Sequence, residues 1–207
     1  MTTELIYVHD PMCSWCWGFR PTFEKLKQAL PERGIKLRYI LGGLAPDSND
    51  PMPEAMQQQL QLTWQRIQQH IPNTSFNFDF WTHCKPRRST YPACRAVIAT
   101  QQLAPEQEDK MILAIQKAYY TRAMNPSDND TLITLAKEMG INGDLFGETL
   151  DSPETQKKLM DNIAESRRIN ATSFPSLVLR VGETYHPLAI DYNHVELMLH
   201  NIDHGIY

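Results

Sequence analysis

Apolar and polar positions in the first 45 residues alternate between two periods. Leu5-Ile6-Tyr7-Val8 is a continuous apolar run, broken at Asp10-Pro11, and it predicts a strand. Phe23, Leu26, Ala29 and Leu30 recur at helical spacing, so an amphipathic helix is expected over Thr22 to Ala29, ending near Pro31 and Gly34. Ile35 to Leu41 alternates with period two, and Gly42-Gly43 ends this second strand. Two strands joined by a helix lie parallel with a right-handed crossover.

From Pro53 to about Asn170 only helical patterns occur. Met56, Leu60, Trp64, Ile67 and Ile71 lie three to four apart in a Gln-rich stretch from Glu54 to His70. Ser89 or Thr90 is placed to cap a helix with Pro92 in its first turn, and Pro105 to about Met124 predicts another. Ser127 with Asp130 resembles a capping box for Thr131 to Met139, which Gly140 ends, while Asp151 with Glu154 starts the last helix of the block. The end returns to strands: Ser176 to Val181, a Gly182-Glu183 turn, and Thr184 to His186 as the hairpin partner. A helix from Asp191 to His204 closes the chain. The expected fold is therefore α/β, with a core of residues 1–52 and 171–207 (β-α-β plus β-β-α) and an all-helical insertion over 53–170.

Composition narrows the function. Of 207 residues, 42% are hydrophobic and the formal net charge is −4, with no long basic run, which argues against nucleic acid or an anionic membrane as partner. No apolar stretch approaches the roughly 18–20 residues of a membrane span. The start, MTTELIYVHD, lacks the basic n-region and the long apolar run of a signal peptide, so a cytoplasmic protein is expected. In a reducing compartment the four cysteines, Cys13, Cys16, Cys84 and Cys94, are not a structural disulfide framework, and a C-x-x-C pair points to redox chemistry or metal.

That pair, Cys13-Ser14-Trp15-Cys16, stands in the turn between the first strand and the first helix. Three residues apart on a first helical turn, the two thiols can face each other. Cys13, at or before the helix N-terminus, meets unpaired amides and the positive dipole end, which stabilise a thiolate and lower a cysteine pKa from about 8.5 to roughly 3.5–7. Cys13 is thus the expected nucleophile and Cys16 the resolving thiol. A zinc half-site is the competing reading, but it needs two more ligands, and only His83 and Cys84 offer themselves. Trp15, Trp17 and Phe19 supply aromatic surface beside the thiols, with Trp15 assigned to function and Phe19 to the core. Lys85, Arg87, Arg88 and Arg95 form a basic cluster that either lines the cleft for an anion or is a solvated loop. Cys84 and Cys94 read as a loop thiol and a buried small hydrophobe.

The motif CSWCWGF after an IYVHDPM strand, together with Thr172-Ser173-Phe174-Pro175-Ser176 before a later strand, resembles the thioredoxin superfamily. Within it the chain is similar to the DsbA-like branch and its FrnE-like, protein-disulfide-isomerase group, over essentially the whole length. The resemblance implies a thioredoxin-like fold with a helical insertion and a cis peptide at Phe174-Pro175 facing the dithiol. It further implies substrate contact at Trp15, Phe174 and Pro175, and thiol–disulfide exchange with protein or small-molecule partners. No cofactor or metal beyond the Cys13-Cys16 couple is implied, with glutathione a possible co-substrate. One departure stands out: the family's buried acid six residues before the first cysteine is Tyr7 here, which leaves proton handling at Cys16 unassigned. A second enzyme class on this scaffold, the kappa-class glutathione transferases and 2-hydroxychromene-2-carboxylate isomerases, has one serine where this chain has two cysteines.

Overall fold

The computed structural model describes residues 3–206; Met1, Thr2 and Tyr207 of the expected core lie outside the described residues. The chain forms β1 (Thr3–His9), α1 (Ser14–Ala29) and β2 (Lys36–Leu41), then α2 (Glu54–His70), α3 (Phe80–His83), α4 (Tyr91–Leu103) and α5 (Glu108–Tyr120). There follow α6 (Asn129–Glu138), α7 (Gly143–Leu150), α8 (Pro153–Arg168), the hairpin β3 (Ser176–Val181) and β4 (Thr184–Leu188), and α9 (Val195–His204). The sheet order is β2-β1-β3-β4, with β2 parallel to β1 and β3 antiparallel to both its neighbours. This is the thioredoxin-like arrangement expected from the sequence. No helix among the described residues is long and apolar enough to cross a membrane.

β1 reads as an unbroken apolar run because it is central and buried on both faces. Leu5 and Tyr7 pack with Phe19, Phe23 and Leu26 of α1 and with Val195, Met198 and Ile202 of α9. Ile6 and Val8 pack on the other face with Ile40, Val178, Ile169 and Ala171. Although α8 falls within the 53–170 span, it docks on the sheet: the Arg38 guanidinium of β2 donates two bonds of 2.9 Å to Glu165, and the Leu41 amide donates to Asn162 at 3.0 Å. The helical block has its own core, where Val97, Met111, Ile115, Leu132, Phe146 and Leu159 meet. An aromatic cluster around Trp64, Phe80, Tyr119 and Tyr120 joins α2 and α3 to α5.

Several helix ends depart from the sequence expectation, some because a polar side chain is recruited elsewhere in the fold. α1 begins at Ser14 and runs through Pro21 instead of starting at Thr22. Thr90 holds the N-cap position of α4, but its hydroxyl donates to Asp10 and caps nothing. Ser127 donates to the Ser89 carbonyl at 2.6 Å, so no capping box forms and α6 starts at Asn129. α8 is capped by Ser152, whose Oγ accepts the Thr155 amide at 3.1 Å, one residue after the expected Asp151. α7 was not expected, because Gly143 and Gly147 weaken its helical signal; Asn142 caps it by accepting two amides at 3.0 Å. α9 starts at Val195 because Asp191 accepts the amides of Asn193 and His194 and holds a turn ahead of the helix.

Candidate active site

The turn after β1 is tight because Asp10 closes it twice. Its carbonyl accepts the Cys13 amide at 3.0 Å, and its Oδ1 accepts the Met12 amide at 2.8 Å. Cys13 is thereby placed at the N-cap of α1, in extended backbone, with no acidic side chain in the helix's first turn. Its thiol donates to the carbonyl oxygen of Phe174 at 3.3 Å, and the Phe174-Pro175 peptide bond is cis.

Cys16 lies one turn further in and is fully buried, while Cys13 keeps 7% of its surface. Burial, then the adjacent Cys13, push the Cys16 thiol well above the ordinary cysteine range. The Asp10 amide and the Tyr7 hydroxyl pull the other way without reversing it. The two thiols are therefore unequal, one at the rim and one sealed behind it.

Three features build the wall around Cys13. Gly42, just past β2, donates its amide to His9 at 2.8 Å, and the Phe174 ring lies against it so closely that a Cβ there would stand 2.0 Å from two ring atoms. Gly43 has φ +62°, the left-handed region glycine favours, and turns the chain so that the Leu44 amide donates to Asp10 Oδ2 at 2.7 Å. The same oxygen accepts the Thr90 hydroxyl at 2.6 Å and the Cys94 thiol at 3.5 Å. Asp10 is fully buried, which raises its carboxyl pKa against the opposing pull of those bonds. The Asp10 side chain thus ties the Cys13 turn to the Gly42–Leu44 segment and to α4.

The remaining candidate residues separate clearly. Trp15 is partly exposed at the rim, its ring 5.3 Å from Tyr192 and 6.1 Å from His70. Phe19 is fully buried in the core, and Trp17 stacks on Tyr120 at 5.7 Å while its indole donates to the Ser75 carbonyl. The basic cluster divides: Arg87 pairs with Asp128 and Arg95 with Asp47. Arg88 instead lines a cavity of about 390 Å³ with Gly42, Gly43, Arg167, Ser173 and Phe174. The Cys84 thiol donates to the Ala123 carbonyl and Cys94 to Asp10, so these two cysteines face different partners. Among the described residues, no group of three or more His, Cys, Asp or Glu side chains is placed to hold a metal ion.

A family model for the DSBA-like thioredoxin domain matches residues 4–201. Among solved structures, a candidate protein disulfide isomerase from Nitrosomonas europaea aligns with a TM-score of 0.86 at 25% identity, over 100% of this chain and 98% of the other. The cytosolic disulfide reductase DsbM from Pseudomonas aeruginosa shares the fold with a TM-score of 0.77 at 21% identity, over 98% of each chain, and is also known with GSH. A 2-hydroxychromene-2-carboxylate isomerase shares it more distantly, with a TM-score of 0.64 at 12% identity, over 98% of this chain and 94% of the other. The ClpXP adapter protein SpxH of Halalkalibacterium halodurans is 21% identical over 179 residues, covering 84% of this chain and 58% of that protein. The chain thus spans less than two thirds of the length of the curated relatives it matches.

Proposed function

This chain belongs to the DSBA-like thioredoxin domain family, and from that premise we propose that it is a thiol–disulfide oxidoreductase with Cys13 as nucleophile and Cys16 as resolving thiol. The observation that carries the reading is the Cys13 thiol at 3.3 Å from the Phe174 carbonyl, beside the cis peptide to Pro175, with Cys16 buried behind it. The Cys13 thiolate attacks a substrate disulfide; a Cys13–substrate S–S bond forms, and the other substrate sulfur leaves as a thiolate. Cys16 then bonds to Cys13 and releases the second substrate sulfur, so the substrate is reduced and Cys13-Cys16 becomes the disulfide. Run backwards, the same steps oxidise a dithiol; attack by a substrate thiol on the mixed disulfide gives isomerisation instead.

Trp15, at the rim, and Phe174 with Pro175, at the wall, are the substrate contacts in this reading. Glutathione is the co-substrate that returns the disulfide to the dithiol: two glutathione thiols are consumed and one glutathione disulfide is formed. The cavity with Arg88 and Arg167 next to Phe174 supports this, since two guanidiniums suit a peptide carboxylate. The relative solved with GSH supports it as well, and that relative's description as cytosolic agrees with a cytoplasmic assignment.

A glutathione redox titration, read by differential alkylation and mass spectrometry, tests the proposal. A reversible two-electron couple confined to Cys13 and Cys16 is expected, with Cys13→Ser inactive but folded. Residual activity in Cys13→Ser within about tenfold of wild type sinks the nucleophile assignment. Absence of any intramolecular couple turns the assignment toward a glutathione-dependent isomerase or transferase.

A further inference from the structure

Four side chains between β1, α1 and α5 are more than nine-tenths buried yet hold polar atoms without a protein partner. They are both ring nitrogens of His9, Arg20 Nε, Gln116 Oε1 and the Tyr120 hydroxyl. Their neighbours place them in one seam. Arg20 and Lys27 of α1 bond Asp109 at the start of α5, while Trp17, one turn before Arg20, stacks on Tyr120 at its end. The two helices therefore run antiparallel, and Gln116, one turn before Tyr120, falls on the stretch of α5 facing α1 between those contacts. His9 lies at the same seam, within the fields of Arg20 and Asp109, and its ring stacks at 4.9 Å on Tyr7. Tyr7 and Cys16 are neighbours whose titrations affect each other, and Tyr120 is close enough to feel the charge of either thiolate.

Buried polar groups in folded proteins are paired with protein or with ordered water. This set offers one donor and one acceptor on neutral His9, a donor on Arg20, an acceptor on Gln116, and either role on Tyr120. An anion would leave the acceptors unpaired and a cation the donors; water satisfies both kinds. The seam also opens to solvent, because Lys27, Glu24 and Asp109 at its far end are 27–32% exposed.

We propose that ordered waters held by His9, Arg20, Gln116 and Tyr120 form the path by which the Cys16 proton leaves when Cys16 resolves a mixed disulfide. The proposal rests on the dithiol reading above. In that step the Cys16 sulfur bonds to Cys13, and the Cys13–substrate S–S bond breaks with its electron pair passing to the substrate sulfur. The Cys16 proton moves to the Tyr7 oxygen as Tyr7 passes its own proton to the waters, and solvent receives a proton at the Asp109 end. The titratable groups around Cys16 are Cys13 on α1, Tyr7 on β1, Tyr120 on α5 and Tyr192 ahead of α9; those around His9 are Arg20, Asp109 and Tyr7, with the Tyr39 ring packed edge-on. Burial and then the Arg20 charge hold His9 down to about 3, and burial holds Tyr7 above its ordinary value, so both remain neutral relays near neutral pH.

Stopped-flow resolution of the Cys13–glutathione mixed disulfide in mixtures of H₂O and D₂O tests this on the wild-type protein. A bowed dependence on deuterium fraction, from several protons moving together, is expected. Gln116→Met, which keeps volume but removes the acceptor, should slow resolution roughly tenfold. Mixed-disulfide formation, measured with Cys16→Ser alone and with Cys16→Ser carrying Gln116→Met, should occur at the same rate. A linear dependence in wild type, or wild-type resolution in folded Gln116→Met, overturns the water path while leaving the dithiol enzyme standing. A wild-type protein that forms the mixed disulfide but never a Cys13-Cys16 disulfide overturns the dithiol reading itself.

Discussion

Gly42→Ala should damage both stability and chemistry through one contact. A Cβ at Gly42 would stand 2.0 Å from two atoms of the Phe174 ring and 2.8 Å from a third. Ordinary carbon contacts begin at about 3.5 Å, so the ring must retreat by roughly 1.5 Å. Overpacking of this kind costs about 1–3 kcal/mol, which at a urea dependence of about 2 kcal/mol per molar moves the midpoint down by roughly 0.5–1.5 M. A retreat that carries the backbone of Phe174 with the ring also moves its carbonyl, the acceptor for the Cys13 thiol at 3.3 Å. A misplacement of about 1 Å at a reacting group costs on the order of a hundredfold in rate. The assay is urea unfolding beside the rate of Cys13 attack on glutathione disulfide, for Gly42→Ala, Phe174→Ala and the double variant. Relief of the clash predicts that the double variant is more stable than the sum of the singles, by about 1 kcal/mol or more. Strict additivity, or a Gly42→Ala protein with the wild-type midpoint and rate, would refute the reasoning.

Three further perturbations act at or beside the same turn. His9 is neutral when folded, with a value of about 3, whereas the unfolded chain takes up a proton near 6.5, so the unfolded state binds more protons below that value. Stability should therefore fall as pH drops from about 6.5 toward 3, by about 2 kcal/mol at pH 5; urea midpoints at both pH values should converge in His9→Gln, and an equal pH slope in the two proteins would contradict the assignment. Asp10→Ala leaves the Met12 and Leu44 amides and the Thr90 hydroxyl without their acceptor, and should cost at least about 3 kcal/mol. Thr90→Val, which removes one of these bonds, should cost about 1 kcal/mol in the same denaturation assay.

The parts of this molecule legible in its sequence are those set by local pattern. The β-α-β start and the Gly182-Glu183 hairpin follow from periodicity and turn chemistry over a few residues, and Cys13 at the head of α1 follows from the C-x-x-C spacing, although periodicity alone puts the helix start at Thr22. Helix caps leave no local signal where a polar side chain is recruited over a long chain distance. Thr90 lies 80 residues from Asp10, and Ser127 lies 38 residues from Ser89, and neither distance leaves a trace in local composition. The role of Gly42 was hidden for a related reason: a Gly-Gly pair signals a turn, while the ring it must admit arrives from residue 174. Tyr7 is visible as a departure from the expected acid, but its neighbourhood with Cys16 depends on the alternation of β1 and the buried side of α1 meeting on one face.

That face explains why a tyrosine can stand where an acid was expected. Leu5, Tyr7 and His9 project from β1 toward α1, and polarity rises along them in the direction of the dithiol, while Ile6 and Val8 behind are wholly apolar. A carboxylate at position 7 would be sealed against Phe19 and Phe23, whose rings lie 6.1 and 4.2 Å from Tyr7, and would need a charged partner to remain ionised there. Tyr7 avoids that cost: its ring fills the aromatic core, and only its hydroxyl is polar beside Cys16. The one buried carboxylate of the site, Asp10, is held by two amides, a hydroxyl and a thiol on the side facing α4. In the proposed relay, the groups that would carry the Cys16 proton and the Asp10 carboxyl that ties the turn to α4 thus lie on opposite sides of the Cys13 turn.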